Sequence, residues 1–279
     1  MGVMMKHMFI GGTRQLGLAL LALLGLFPIY YIAVNSLKSQ SEYARNQLAP
    51  PILFQFENYA SAWSQVAGPL LNTIVIVGVS VIGILVCSAL SAYAFAVLPF
   101  PGKRGLFMLV FILLLIPSFL TLIPLFLQIK RLPFANTYWA LILPYIAAGQ
   151  AFSIFVLRTF FAGISKELLE AARIDGAGDV RIFRSVAVPL SLPVLISVGI
   201  INLVPLWNDY LLPRLILNRA HQTVTMALVA FQGSAQTHTA PNFGALMAAY
   251  VLASLPLVVL FSFLMRYYIE GLTSGSVKM

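Results

Sequence analysis

The chain has 279 residues, 60% of them apolar and only 9% charged, with a mean hydropathy of +0.93. Soluble globular domains carry roughly 25% charged residues, so this composition excludes one and places the chain in a membrane. Its apolar runs are long rather than ten-residue alternations, which excludes a β-barrel and leaves helices to satisfy the backbone in hydrocarbon. The net charge of +9 needs no nucleic acid, because basic loops facing anionic lipid account for it.

A crossing helix needs about 20 residues. In chain order the predicted spans are Leu16 to Val34, Thr73 to Val97, Leu106 to Leu127, Trp139 to Phe161, Val188 to Trp207 and Ala245 to Ile269. The first is too long for a removable signal and lacks a small-residue cleavage site after it, so it reads as a span behind a tail of residues 1–15. The second contains Cys87 among Val86, Ser88 and Ala89; this single thiol is expected to behave as a small buried hydrophobe. Pro28, Pro117, Pro124, Pro144, Pro193, Pro205 and Pro256 fall within or at the edges of spans. Each removes an N–H and kinks its helix, which suits either bundle packing or the wall of a water-filled pathway.

Lys and Arg set the orientation. Lys6, Arg14, Lys103, Arg104, Arg158, the basic residues from Lys166 to Arg184, Arg266 and Lys278 share the side of both termini; Lys38, Arg45, Lys130, Arg131, Arg214 and Arg219 lie opposite. The bias places both termini in the cytoplasm.

An ion-coupled carrier would hold acids inside its spans. Here Glu42 and Glu57 fall in the first outer loop, Asp209 follows the fifth span, Glu270 closes the sixth, and the other four acids cluster between spans four and five. Gly102-Lys103 lacks the glycine five residues earlier that a phosphate-cradling loop needs and has Arg104 where Ser or Thr belongs. ATP binding by this chain is therefore not expected, and neither is catalysis.

Charge instead gathers in the loop from 162 to 187. Ser165 is a predicted N-cap, with Lys166 and Glu167 opening a helix that runs through Ala172. Asp175, Gly176 and Gly178 read as a turn, Gly176 at positive φ, and Asp179 as the cap of a second helix from Val180 toward Pro189. Ala171 and Ala172 offer a small face ringed by Glu167, Glu170 and Arg173, the form of a docking knob; the alternative is an ordinary amphipathic loop.

The run Glu170-Ala171-Ala172, Asp175-Gly176-Ala177, Phe183, Pro189-Leu190 and Pro193 resembles the EAA loop of permease subunits of ATP-binding cassette importers. Ser91-Ala92-Tyr93-Ala94-Phe95-Ala96 followed by Phe100-Pro101-Gly102, Asn72-Thr73, Trp207-Asn208 with Pro213, and the tail from Gly271 to Lys278 are similar to the carbohydrate branch, in the mould of the smaller maltose permease. Met279 departs from that pattern, where glycine is often found. The resemblance implies an all-α integral membrane fold of six transmembrane helices, the type I importer (MetI-like) architecture, spanning residues 16–270 with a cytoplasmic tail at 271–279. It implies half of a heterodimeric pathway for sugars, with a second permease, two ATPase subunits holding ATP and Mg, and an external sugar-binding protein as partners.

By the same resemblance Glu170, Ala171, Ala172, Asp175, Gly176 and Ala177 would contact an ATPase, and Gly271, Leu272, Thr273, Gly275 and Lys278 would reach toward the ATPase pair. In the outer segment from Asn218 to Asn242, Phe231, Gln232 and Gly233 are expected at a loop tip that enters the binding protein. Tyr93, Gln150, Asn202 and Trp207 are candidate pathway residues, equally able to serve as interhelical contacts. His221 and His238 are too far apart in the sequence for metal ligands. Competing expectations are an importer for glycerol phosphate, a stand-alone ion-coupled carrier, and a membrane scaffold.

Overall fold

The computed structural model describes the backbone of residues 2–233 and 242–274, and side chains within 15–117, 119–232 and 242–267. Regular structure among these residues is helical throughout: α1 Gly2–Asn35, α2 Gln40–Arg45, α3 Glu57–Val97, α4 Lys103–Leu113, α5 Ser118–Ile129, α6 Trp139–Phe161, α7 Lys166–Ile174 and α8 Asp179–Ile182. A π-turn at Phe183–Ala187 leads into α9 Val188–Leu190, then come α10 Leu192–Asn208, α11 Leu211–Ile216, a 3₁₀ turn at Arg219–His221, α12 Val224–Gly233 and α13 Phe243–Ser274.

Four of these helices, α1 from Gln15, α3, α6 and α13, are long and apolar enough to cross a membrane. The fourth expected span is met residue for residue by α6. α13 continues through Gly271 to Ser274, so the first residues of the expected tail are helical. Two expected spans are broken. The stretch Leu106 to Leu127 is two helices of 11 and 12 residues separated by Leu114–Pro117, because Pro117 has no N–H and disfavours helical backbone at Ile116. The stretch Val188 to Trp207 bends by 76° at Ser191, where Pro193 has no N–H to return to the carbonyl of Pro189. Ser191 Oγ steadies the bend by donating to the Ala187 carbonyl at 2.6 Å.

The chain forms two compact units, residues 1–67 with 228–256, and residues 68–227 with 257–279. In the first, Asn58 Nδ2 donates to the carbonyls of Ser36 and Lys38, both at 2.9 Å. Gly244 abuts the Lys38 carbonyl and Asn58 so closely that any Cβ would collide with them. Lys38 is fully buried, its Nζ donating to the Asn46 carbonyl at 2.8 Å; loss of solvation pulls its pKa below the ordinary lysine value, partly opposed by Glu42. Tyr43 stacks on Phe243 at 4.9 Å, and Phe231 packs with Ala245 and Leu246.

In the second unit polar side chains pin α3 and α6 to the chain after α10. Tyr138 donates to Asn72 Oδ1 at 2.7 Å, and Asn72 Nδ2 donates to the Gln222 carbonyl at 2.9 Å. Thr73 Oγ1 accepts the Val224 N–H at 2.8 Å while donating to the Pro69 carbonyl. Nearer the middle of α6, Asn202 Nδ2 donates to Ser153 Oγ at 3.1 Å, and Gly149 leaves no room for a methyl group. A Cβ there would stand 2.6 Å from Ile84 Cδ1 and 2.8 Å from Asn202 Oδ1.

Gly149→Ala is expected to cost about 1–3 kcal/mol through overpacking and to lower the thermal unfolding temperature of the detergent-solubilised chain. Gly105→Ala in α4, where the added Cβ meets nothing within 4 Å, is the control and should show no such loss.

Candidate functional site

The charged loop folds as two short helical pieces around a glycine turn. Ser165 caps α7, its Oγ accepting the Leu168 N–H at 3.3 Å, and Glu167 lies in the first turn, where a carboxylate favours the helix dipole. At the other end Ala177 N–H donates to the Ala172 carbonyl and Gly176 N–H to the Arg173 carbonyl, both at 3.0 Å. That pair of bonds is a Schellman closure, which needs left-handed backbone at its turning residue; Gly176 supplies it at φ 79°. Ala172 and Ala177, the two residues joined by the longer bond, both pack on the core beneath.

The next helix begins one residue earlier than the sequence suggests. Gly178 is the N-cap of α8, and Asp179 is the first helical residue. Its carboxylate faces Arg173 Nη2 at 3.4 Å, with both side chains about half exposed, so the pair adds little stability. Pro189 then lacks an N–H, and the turn before it widens until the Val188 N–H reaches back five residues to Phe183.

Burial separates the two faces of this segment. Leu169, Ile182 and Ala187 sit in one apolar cluster with Ala89, Ala92 and Tyr93 of α3, Leu157 and Phe161 of α6, and Val194 and Val198 of α10. Glu167, Glu170, Ala171, Asp175 and Gly176 face outward. The flat Ala171–Ala172 face expected from the sequence is therefore divided, since Ala172 turns inward and Ala171 outward. Two residues missed by the sequence reading stand out on the exposed side: Ile174 is 86% exposed and Val180 73%. Their signal was legible as isolated aliphatic residues in a charged stretch. Val180 also lines an open cavity of about 720 Å³ with Gly178, Asp179, Arg181, Arg184 and Ser185, so the outward surface is an apolar knob beside a basic hollow.

The four candidate pathway residues lie on α3, α6 and α10. Tyr93 is buried against Phe161 and Phe183 at ring distances of 6.0 and 5.2 Å, and its hydroxyl has no partner among the described residues. Tyr93 thus ties α3 to the charged loop. Trp207 is buried too. Gln150 Nε2 returns to the Ile146 carbonyl at 2.9 Å and its Oε1 is buried without a partner. Asn202 is engaged with Ser153 and the Val198 carbonyl. Asp209 follows α10 as expected, yet it is held by the membrane helix α6: Tyr145 donates to its Oδ2 at 2.7 Å, and Thr225 donates to its backbone carbonyl at 2.7 Å.

Phe231, Gln232 and Gly233 do not form a loop tip. They close helix α12, with Phe231 buried and Gln232 donating to the Tyr250 hydroxyl; the apolar run from Val224 favours helix over loop. Gly271, Leu272 and Thr273 lie in the last turns of α13, whereas Gly275, Lys278 and His238 are outside the described residues. His221 packs edge-on against Tyr138 at 5.2 Å. Cys87 is exposed on the surface of α3, contrary to the expected burial, because α3 turns this face away from the rest of the chain.

Four long apolar helices and a charged helical hairpin rooted in α3, α6 and α10 are the features of a multi-pass membrane protein. Residues 84–273 match the family described as binding-protein-dependent transport system inner membrane component, and the chain belongs to that family. It is 32% identical to the diacetylchitobiose uptake system permease of Streptomyces coelicolor, over 94% of this chain and 87% of the relative. It is 33% identical to the melibiose/raffinose/stachyose import permease of Bacillus subtilis, over 93% and 94%, and 34% identical to the trehalose transport system permease of Mycobacterium tuberculosis, over 91% and 92%. Its fold is that of a chain in a bacterial ABC transporter that imports the acidic polysaccharide alginate, with a TM-score of 0.80 at 22% identity, covering 93% of this chain and 96% of the other. The chain is a multi-pass inner-membrane permease.

Gly176→Val should strain the left-handed turn by about 1–2 kcal/mol and reduce solute-stimulated ATPase activity of the assembled transporter more than its yield in the membrane. Tyr93→Phe removes a hydroxyl with no hydrogen-bond partner among the described residues, so uptake should keep its KM and the thermal unfolding temperature should hold or rise.

Proposed function

We propose that this chain is one of two permease subunits of a sugar importer, that its solute is a di- or oligosaccharide, and that α7 is the element an ATPase grips. Relatives alike over nearly the whole chain are named for diacetylchitobiose, melibiose, raffinose, stachyose and trehalose, which favours a sugar over glycerol phosphate. Both termini and the loop at 162–187 face the ATPases in this reading. ATP and Mg belong to those partner subunits, and this chain catalyses nothing itself.

One observation carries the coupling role: α7 presents Glu167, Glu170, Ala171 and Ile174 outward while Leu169 is buried among residues of α3, α6 and α10. A pull on the outward face is borne by the inward one. Close-packed cores transmit displacement instead of absorbing it, so a shift of α7 moves the adjoining ends of three membrane helices together. Ile174 would fill an apolar socket in the ATPase, Glu170 would meet a basic rim, and the Arg181–Arg184 hollow would receive an acidic group. At the other end, an external sugar-binding protein delivers the solute to a pathway shared with the second permease.

The decisive experiment is the ATPase rate of the complex co-purified with this chain, in lipid nanodiscs with its binding protein, across mono-, di- and oligosaccharides and glycerol phosphate. Stimulation by a di- or oligosaccharide is the expected result; stimulation by glycerol phosphate alone would replace the substrate assignment. Glu170→Lys is expected to leave membrane insertion intact while abolishing most of that stimulation. Undiminished ATP-driven uptake by the variant would remove α7 from the coupling path.

A further inference from the structure

The segment joining α1 to α3 carries an apolar surface that the chain does not cover. No charged residue occurs from Asn46 to Phe56. Leu48, Ile52, Leu53, Phe54 and Phe56 are all exposed, Ile52 by 84%, and Phe54 stacks on Phe56 with centroids 6.0 Å apart. Water would penalise this arrangement, yet the backbone holds it in place. Asn46 Oδ1 accepts the N–H groups of Leu48 and Ala49 at 3.0 Å, Glu42 Oε1 accepts the Ile52 N–H at 2.6 Å, and Gln55 N–H donates to the Leu37 carbonyl at 2.8 Å.

The end of α1 sets the depth of this surface. Tyr30 donates to the Leu48 carbonyl at 2.8 Å, Tyr31 to Gln47 Oε1 at 2.9 Å, and Asn35 Nδ2 to the Gln47 carbonyl at 2.9 Å. The membrane-crossing part of α1 runs to Asn35, and Tyr30 lies five residues before that end, or about 7.5 Å along the axis. The segment therefore doubles back along the last turns of the span. Tyrosines at the end of a span sit at the headgroup level of a bilayer, so the residues bonded to them sit there as well.

We infer that residues 48–56 form a bilayer anchor, lying in the interfacial layer of the leaflet where α1 ends, with Ile52, Leu53, Phe54 and Phe56 in contact with acyl chains. Lipid accounts for three observations together. The exposed patch continues the surface of α1, whose Leu16, Leu20, Leu24 and Phe27 are exposed along the span. A docking surface for a soluble protein normally has a polar or charged rim, and this stretch has no charge. The N–H groups of Leu48, Ala49, Ile52 and Gln55 are all bonded within the chain, as backbone at the edge of hydrocarbon requires. Such an anchor would fix the depth of α1 and of the start of α3, so that the helices can tilt without being pulled through the bilayer.

The test places a nitroxide on single cysteines in a Cys87→Ser background, in the full transporter reconstituted in nanodiscs. Phe54→Cys is the primary site, Ile52→Cys a second site with no packing to lose, and Ser41→Cys an exposed control in α2. Collision with oxygen is compared with collision with a water-soluble nickel chelate, which hydrocarbon excludes. The anchor predicts an inverted ratio, oxygen above chelate at positions 54 and 52 and chelate above oxygen at 41. Three outcomes overturn it: chelate access equal to that at 41, loss of access to both reagents because the partner permease covers the site, or chelate access that disappears on adding the binding protein. None of these outcomes bears on the coupling role of α7.

Discussion

The apolar cluster that roots α7 in α3, α6 and α10 is the contact on which the rest of this molecule depends. Leu169, Ile182 and Ala187 come from the charged segment between α6 and α10, while Tyr93, Leu157, Phe161, Val194 and Val198 come from membrane helices. Full burial of a large aliphatic or aromatic side chain is worth about 1.5–3 kcal/mol, enough for a handful of residues to hold a short loop rigidly. Without that anchorage the outward residues would move independently of the spans. With it, the nine residues of α7 become a handle on a much larger body.

Proline and glycine decide how this body bends. Pro117 and Pro193 withhold N–H groups where the chain breaks, Pro189 widens the turn before α9, and Gly176 supplies the left-handed residue that lets α7 end and α8 begin. At the bend Ser191 holds the Ala187 carbonyl twice, through its backbone N–H and through its Oγ, which secures the last turn before the break. Asp209 follows the same logic at the far end of α10. A carboxylate that receives the Tyr145 hydroxyl and the Leu211 N–H links α6 to the start of α11.

Much of the charged loop's local structure was legible in the sequence. Ser165 as N-cap, Gly176 at positive φ and the helix between them follow from residue type and spacing, because capping and left-handed backbone are local preferences. Four spans were legible for the same reason, since twenty apolar residues have few other fates. The broken spans were visible only as prolines, which mark a weak point without stating whether the helix kinks or ends. Cys87, Phe231 and the division of Ala171 from Ala172 were read wrongly or left open, because the face a helix buries depends on its neighbours.

The sequence by itself determined the membrane class, the helical content, the charged loop and its internal turn, all consequences of composition and of interactions within a few residues. Only the tertiary structure decided that Tyr93 belongs to the core beneath α7, that Asp209 is clamped by Tyr145, and that Ile174 and Val180 project while Leu169 is buried. Those outcomes depend on contacts between residues far apart in the chain, where a side chain's role is set by what packing brings against it and not by its own chemistry.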